Sequence, residues 1–273
     1  MQSPLFLILG VAVLSMALRS YHHAVLQKLG ALGIFATSFL VGWYAGGRSV
    51  LTGAIFASSW LLLPWVEILT RIRRLRLPQE KSLRHKTPPS PSLFPDLHEF
   101  TEEVEAEGFE FTDDAGWDWE EYEQYFRLFS KSADRSQAAI CLIDQEGMAF
   151  YYLSISSREK NGTVWTTWNY PFSYSLKPAP QIKINRLRGD QSFLQIYESH
   201  RSFLRDNRVE TALLEELTPE QIQLEIQNDL RLQIKHNLAK GVLTEAGEGR
   251  IRYSWRGLFF IWVQFLRDLV RLS

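Results

Sequence analysis

The sequence predicts a membrane-anchored α+β protein: three N-terminal transmembrane helices, then a soluble domain with an antiparallel meander sheet packed by helices, and a C-terminal amphipathic helix. Three observations carry that class. The first 69 residues hold only four charged side chains, Arg19, Lys28, Arg48 and Glu67. From Gln124 the chain runs through aromatic and β-branched stretches separated by turn residues. After Asp190 helical periodicity returns. The expected boundaries are 1–69 for the membrane region and 70–95 for a basic juxtamembrane and Pro-rich linker. The α+β domain follows at 96–253 and the amphipathic helix at 254–273.

Composition bounds the function classes. With 30 basic and 31 acidic residues, the chain is not a globally basic nucleic-acid binder. Charge is sorted in blocks instead: thirteen acids and no Lys or Arg lie between Asp96 and Glu123, directly after an almost purely basic stretch at 71–86. A single cysteine, Cys141, allows neither an internal disulfide nor a C-x-x-C zinc site.

The front quarter breaks into apolar stretches at 4–18, 29–46 and 50–69. A helix needs about 20 residues to cross a hydrocarbon core of about 30 Å. The second and third stretches meet that length, and the first does so only if it begins at Met1. Its rival reading is a cleaved signal peptide, given the small residues around Ser15 and Ala17, although no basic residue precedes it. Charge decides between the two. If all three stretches cross, Arg19, Lys28 and the run after Leu69 share one side and Arg48 lies opposite, as expected when Lys and Arg collect in the cytoplasm. The expectation is a multi-pass protein with its N-terminus outside and its soluble domain cytoplasmic.

The run "ILTRIRRLRLPQEKSLRHK" at 68–86 has seven Lys or Arg and one acid. Directly after a span it reads as a stop-transfer signal, with Arg71, Arg73, Arg74 and Arg76 at the surface of an anionic bilayer. No aromatic residue for base stacking lies between Thr70 and Ser92, so nucleic acid is not an expected partner. Within the spans, Gly42 and Gly46, then Gly53 and Ala57, offer close helix packing and a route to a homo-oligomer. Pro64 is expected to bend the third helix, and Glu67 to pair with Arg71.

Four prolines in 87–95 mark a stiff linker. Leu97, Phe100 and Val104 then give a short amphipathic helix ending at Gly108. "QYFRLFS", "QAAICLID", "MAFYYLSISSR" and "TVWTTWNYPFSY" read as four strands with short connections, and 181–187 as a less regular fifth. A helix capped by Ser192 follows. The clearest helix has Thr218 as cap, Pro219 first, and an apolar series Ile222, Ile226, Leu230, Ile234 and Leu238 ending at Gly241. These helices are expected against one face of the sheet. The last stretch is uncharged only over 257–266, half of what a span requires. On a helix, Arg256, Phe260, Gln264, Arg267 and Arg271 share one side, opposite Leu258, Ile261, Trp262, Phe265, Leu269 and Leu272. That pattern suits a helix lying in the headgroup plane. A core helix of the soluble domain is the alternative.

The candidate binding surface is aromatic. Trp168, Tyr170, Phe172 and Tyr174 fall on every second residue, with Trp165 nearby, so an extended strand would project the series from one face. Core packing would use the same residues. The acids Asp113, Asp114, Asp118, Glu120 and Glu121 lack the spacing of a calcium loop and read as a solvated face. His200 and His236 have no i, i+4 histidine partner, so no metal is expected. Without a nucleophile elbow or glycine-rich phosphate loop, no cofactor is expected either. The leading expectation is a module that binds a protein or small molecule at the lipid bilayer. The alternatives are a membrane-associated enzyme pairing acidic-segment carboxylates with His200, and an assembly factor acting through its membrane helices.

Overall fold

The computed structural model describes residues 4–271, apart from 22, 121, 146, 147 and 190. The chain opens with α1 (Pro4–Arg19), α2 (Ala24–Ala45) and α3 (Val50–Thr70), followed by β1 (Leu77–Pro78), β2 (Arg84–His85) and α4 (Leu97–Ala106). The main strands are β3 (Glu110–Trp119), β4 (Tyr122–Lys131), β5 (Ser136–Gln145), β6 (Met148–Arg158), β7 (Val164–Trp168) and β8 (Ile182–Arg186). Then come α5 (Phe193–Asp206), α6 (Pro219–Ala239), β9 (Leu243–Glu245), β10 (Arg250–Tyr253) and α7 (Trp255–Arg271). They divide into a helical unit, residues 4–75, 173–175 and 252–271, and a sheet unit, residues 76–172 and 176–251.

In the helical unit two helices, not three, are long and apolar enough to cross a membrane: Val25–Ala45 and Val50–Arg74. α1 has 16 residues, about 24 Å at 1.5 Å per residue, and falls short of a hydrocarbon core. Only 11% of each long apolar window is buried, whereas a core helix of a water-soluble domain would be mostly buried. The helices approach closely where side chains are missing. A Cβ on Gly42 would lie 2.6 Å from Phe56 Cβ, and one on Gly53 would lie 2.8 Å from the Phe39 ring. Gly46 meets Thr52 in the same α2–α3 contact, Ala57 is half-buried, and Gly30 and Gly33 let α1 onto α2. The small residues therefore serve packing within the chain.

α7 belongs to this helical unit. It buries Leu258, Ile261, Gln264 and Asp268 along one stripe. Gln264, expected on the polar side with Arg256 and Arg267, is thus buried while both arginines are exposed. The stripe closes on a short piece of chain: Asp268 accepts from the Ser173 backbone N–H at 2.8 Å and from the Ser173 hydroxyl. The Arg271 side chain lies outside the described residues.

The sheet unit holds a seven-stranded sheet in the order β2-β3-β4-β5-β6-β7-β8, and β1-β10-β9 form a small separate sheet. The large sheet is mixed, not an all-antiparallel meander, because β8 runs parallel to β7. The acidic segment is its long strand β3, paired with β4 from Glu110↔Ser130 to Trp119↔Tyr122 across a bulge at Phe111/Asp113. Helices cover both faces rather than one. Tyr125, Phe129, Ile140, Leu153 and Ile155 meet α4 and α5, while Phe126, Leu128, Cys141, Ile143 and Tyr152 meet Ile222 and Ile226 of α6. Burial on both sides explains the unbroken apolar run in "AAICLI". Residues 76–95 of the expected 70–95 linker are part of this unit: Leu83 and Phe94 are buried in the two cores, and β1 and β2 pair with β10 and β3.

Candidate functional site

The aromatic series does not lie on one strand. β7 ends at Trp168, where Asn169 turns the chain out by accepting the Leu153 N–H on its side-chain oxygen at 2.7 Å. Pro171 has no N–H to continue a ladder. Arg186 of β8 then pins the departing backbone, donating Nε to the Tyr170 carbonyl at 3.0 Å and a terminal nitrogen to the Pro171 carbonyl. Trp168, Tyr170 and Phe172 still come together, through ring contacts: Trp168–Tyr170 at 5.6 Å and Tyr170–Phe172 at 6.0 Å between centroids. Trp165 points to the opposite face, edge-on to Phe203 of α5. Tyr174 lies in the 173–175 segment of the helical unit.

The structure adds residues that the one-strand reading missed. Phe150 lies 5.1 Å from Phe172 and 5.9 Å from Tyr170, and Tyr152 lies 5.0 Å from Tyr170. Gln124 continues the row. Its Oε1 accepts the Trp117 indole N–H at 2.9 Å, and its amide nitrogen faces the Tyr152 hydroxyl at 3.5 Å. Trp117 in turn packs on Tyr122 at 5.0 Å. The result is an aromatic row on the α6 side of the sheet, from Trp117 to Phe172. Its inner members Trp117 and Tyr152 are buried, its outer members Tyr122, Phe150, Trp168 and Tyr170 are half-buried, and Phe172 is 45% exposed. The available signal was the aromatic content of "GWDWEEY" and "AFYYL".

One cation marks the Trp117 end. Lys81 Nζ lies 4.1 Å over the Trp117 ring. Burial pulls its amine down to about 8, because a desolvated ammonium loses hydration. The indole face attracts a cation and acts against that shift. Nothing in the sequence around Lys81 signals this environment.

Among the described residues, no hydrogen bond joins His200 to a carboxylate of the acidic segment. His200 is buried, with Nε2 3.1 Å from the Ser157 hydroxyl and Nδ1 3.1 Å from the Thr167 hydroxyl. Burial pulls it down to about 4, against an opposing pull from the Asp134 charge, so the ring is neutral. Neither nitrogen bonds a carboxylate. The acids are committed elsewhere: Asp114 is buried in a bidentate pair with Arg127, both contacts at 2.9 Å, and accepts the Tyr125 hydroxyl at 2.6 Å. Asp113 meets His85 at 2.9 Å, while Lys86 holds Asp118 and, at 3.0 Å, Glu123. Glu120 lies 3.9 Å from Arg250, and Glu121 lies outside the described residues. Among the described residues no three His, Cys, Asp or Glu side chains cluster as a metal site. Cys141 is buried and its thiol is pushed up to about 12, far from a thiolate nucleophile at neutral pH.

At the basic run, Arg71 pairs with Glu67 at 3.1 Å, as their spacing predicts, and Arg73 lies 4.4 Å over the Trp255 ring. Arg74 is exposed and Arg76 half-buried. No protein-family model, no curated protein and no solved structure matches the chain.

Proposed function

We propose that this chain is a membrane-anchored binding protein without catalytic activity, whose sheet unit receives a protein or small-molecule partner on the aromatic row ending at Phe172. The α2–α3 hairpin is the anchor. Lys and Arg bias the ends of that hairpin, with Arg19, Lys28 and the 71–86 run on one side and Arg48 on the other, which orients the sheet unit to the cytoplasm. An N-terminus on the outside requires α1 to cross as well. Its 16 residues are too few, so the proposal keeps only the hairpin.

The observation that carries the binding reading is the gradient of exposure along the row, from buried Trp117 and Tyr152 to open Phe172. Rings held by one another keep a fixed shape, and an aromatic edge offers large contact area at low cost in side-chain entropy. The test is a photo-reactive phenylalanine analogue at Phe172 in the full chain, irradiated in cells. A discrete adduct is expected at Phe172 and not at exposed Lys160, and Tyr170→Ala should weaken it at least several-fold. Equal, diffuse labelling at both positions would refute the binding row.

A further inference from the structure

On α7, Trp255, Arg256, Phe259 and Arg267 are exposed, with the Arg73 guanidinium 4.4 Å over the Trp255 ring. Pro64, inside α3, has no N–H to return to the Trp60 carbonyl one turn back. Leu61, in that turn, gives its carbonyl to the Trp262 indole N–H at 2.7 Å. In hydrocarbon, where water cannot meet it, the indole N–H is satisfied by this carbonyl. Trp65 lies 6.0 Å from Trp262, and Phe259 lies 5.1 Å from Trp262 on the other side. Depth follows from the helix rise: Leu61 precedes Glu67 by about 9 Å and Arg71 by about 15 Å. Trp262 therefore sits just inside the charged end of α3, near the depth of about 5–10 Å at which in-plane helices rest.

At 100° per residue, the side of α7 away from the buried stripe divides in two. Trp255, Phe259 and Leu266 share one half, with Trp255 60% and Phe259 53% exposed. Exposed Arg256 and Arg267 share the other.

We propose that this edge of α7 is a binding site for anionic phospholipid. Phe259 and Leu266 enter the acyl boundary, Trp255 lies at the headgroup level beneath Arg73, and the Arg256 and Arg267 guanidinium groups take the lipid phosphates. Guanidinium forks match phosphate oxygens in two-pronged bonds, and a net attraction requires a headgroup without its own compensating ammonium. The site rests on the membrane placement of the α2–α3 hairpin proposed above.

The experiment uses the full chain with Val263→Cys, a position between the two halves, carrying an environment-sensitive fluorophore. Buried Cys141 does not compete for the label. In detergent, the labelled protein is titrated with short-chain phosphatidylglycerol and with phosphatidylcholine of the same chain length. Phosphatidylglycerol should give the lower midpoint. Arg256→Gln and Arg267→Gln should each raise that midpoint about 5-fold and leave the phosphatidylcholine curve unchanged. Equal midpoints for the two lipids would overturn the site, as would a double variant that binds phosphatidylglycerol as the parent does. Retention of the chain in membranes washed with alkaline carbonate separates the two failures. Release defeats the hairpin anchor and the site with it, whereas retention with equal midpoints defeats the site alone.

Discussion

His200 shows how a titratable side chain can be built into a core as a neutral crossbeam. It joins β6 and β7 to α5 through Ser157 and Thr167, and Asn185 extends the network by donating to Ser199 at 2.9 Å. The pH consequence has a definite sign. The unfolded histidine takes a proton near 6.5 and the folded one near 4, so the unfolded state binds more protons between those values. This contribution is fully present above about pH 6.5 and is lost as pH falls toward 4, by about 3 kcal/mol in total. Urea unfolding of the full chain across that range should show the loss, and His200→Gln should flatten it relative to the parent. Identical pH slopes in the two proteins would contradict the buried neutral ring. This network was not legible in the sequence, because its hydroxyls lie more than thirty residues away in the chain. Asp114 was hidden for a similar reason: it sits in an acidic run, and only cross-strand pairing with β4 brings Arg127 to it.

Among the elements, periodicity was a good guide wherever local chemistry and packing agree. Ser192 caps α5 as expected, in a capping box that Gln195 completes, and α6 starts at Pro219 and gives way to the left-handed Gly241. β3 was missed because its acids conceal the apolar alternation of Ala115 and Trp117. β7 was drawn too long because aromatic content continues after Asn169 has ended the ladder. The parallel return to β8 depends on side chains replacing backbone partners. Asn237 of α6 bonds both the N–H and the carbonyl of Lys177 at 2.9 Å, and Gln233 takes the Ala179 N–H at 2.9 Å. Such tertiary bonds leave no periodic trace. In the helical unit, Gly42→Val would force its new side chain into Phe56 and the Thr52 carbonyl. Overpacking of this kind costs about 1–3 kcal/mol. The variant should unfold at lower temperature in detergent, and an unchanged midpoint would show that α2 and α3 do not depend on the close approach.

At the scale of the whole molecule, the chain sorts its chemistry into an apolar helical unit and a sheet unit rich in aromatic and charged pairs. Apolar residues that a water-soluble fold would hide stay exposed along α2 and α3, two helices long and apolar enough to cross a bilayer. Hydropathy made the two long helices legible. It could not assign α7, whose place with the helical unit follows from Trp262, Leu61 and the buried Asp268, contacts far apart in sequence. In the proposed arrangement the α2–α3 hairpin crosses the membrane with its tip outside. The direct measurement is reaction of the full chain carrying Arg48→Cys with a membrane-impermeant maleimide on intact, sealed cells. Labelling is expected before lysis, at a thiol distinct from buried Cys141. Labelling that appears only after the cells are broken would contradict it.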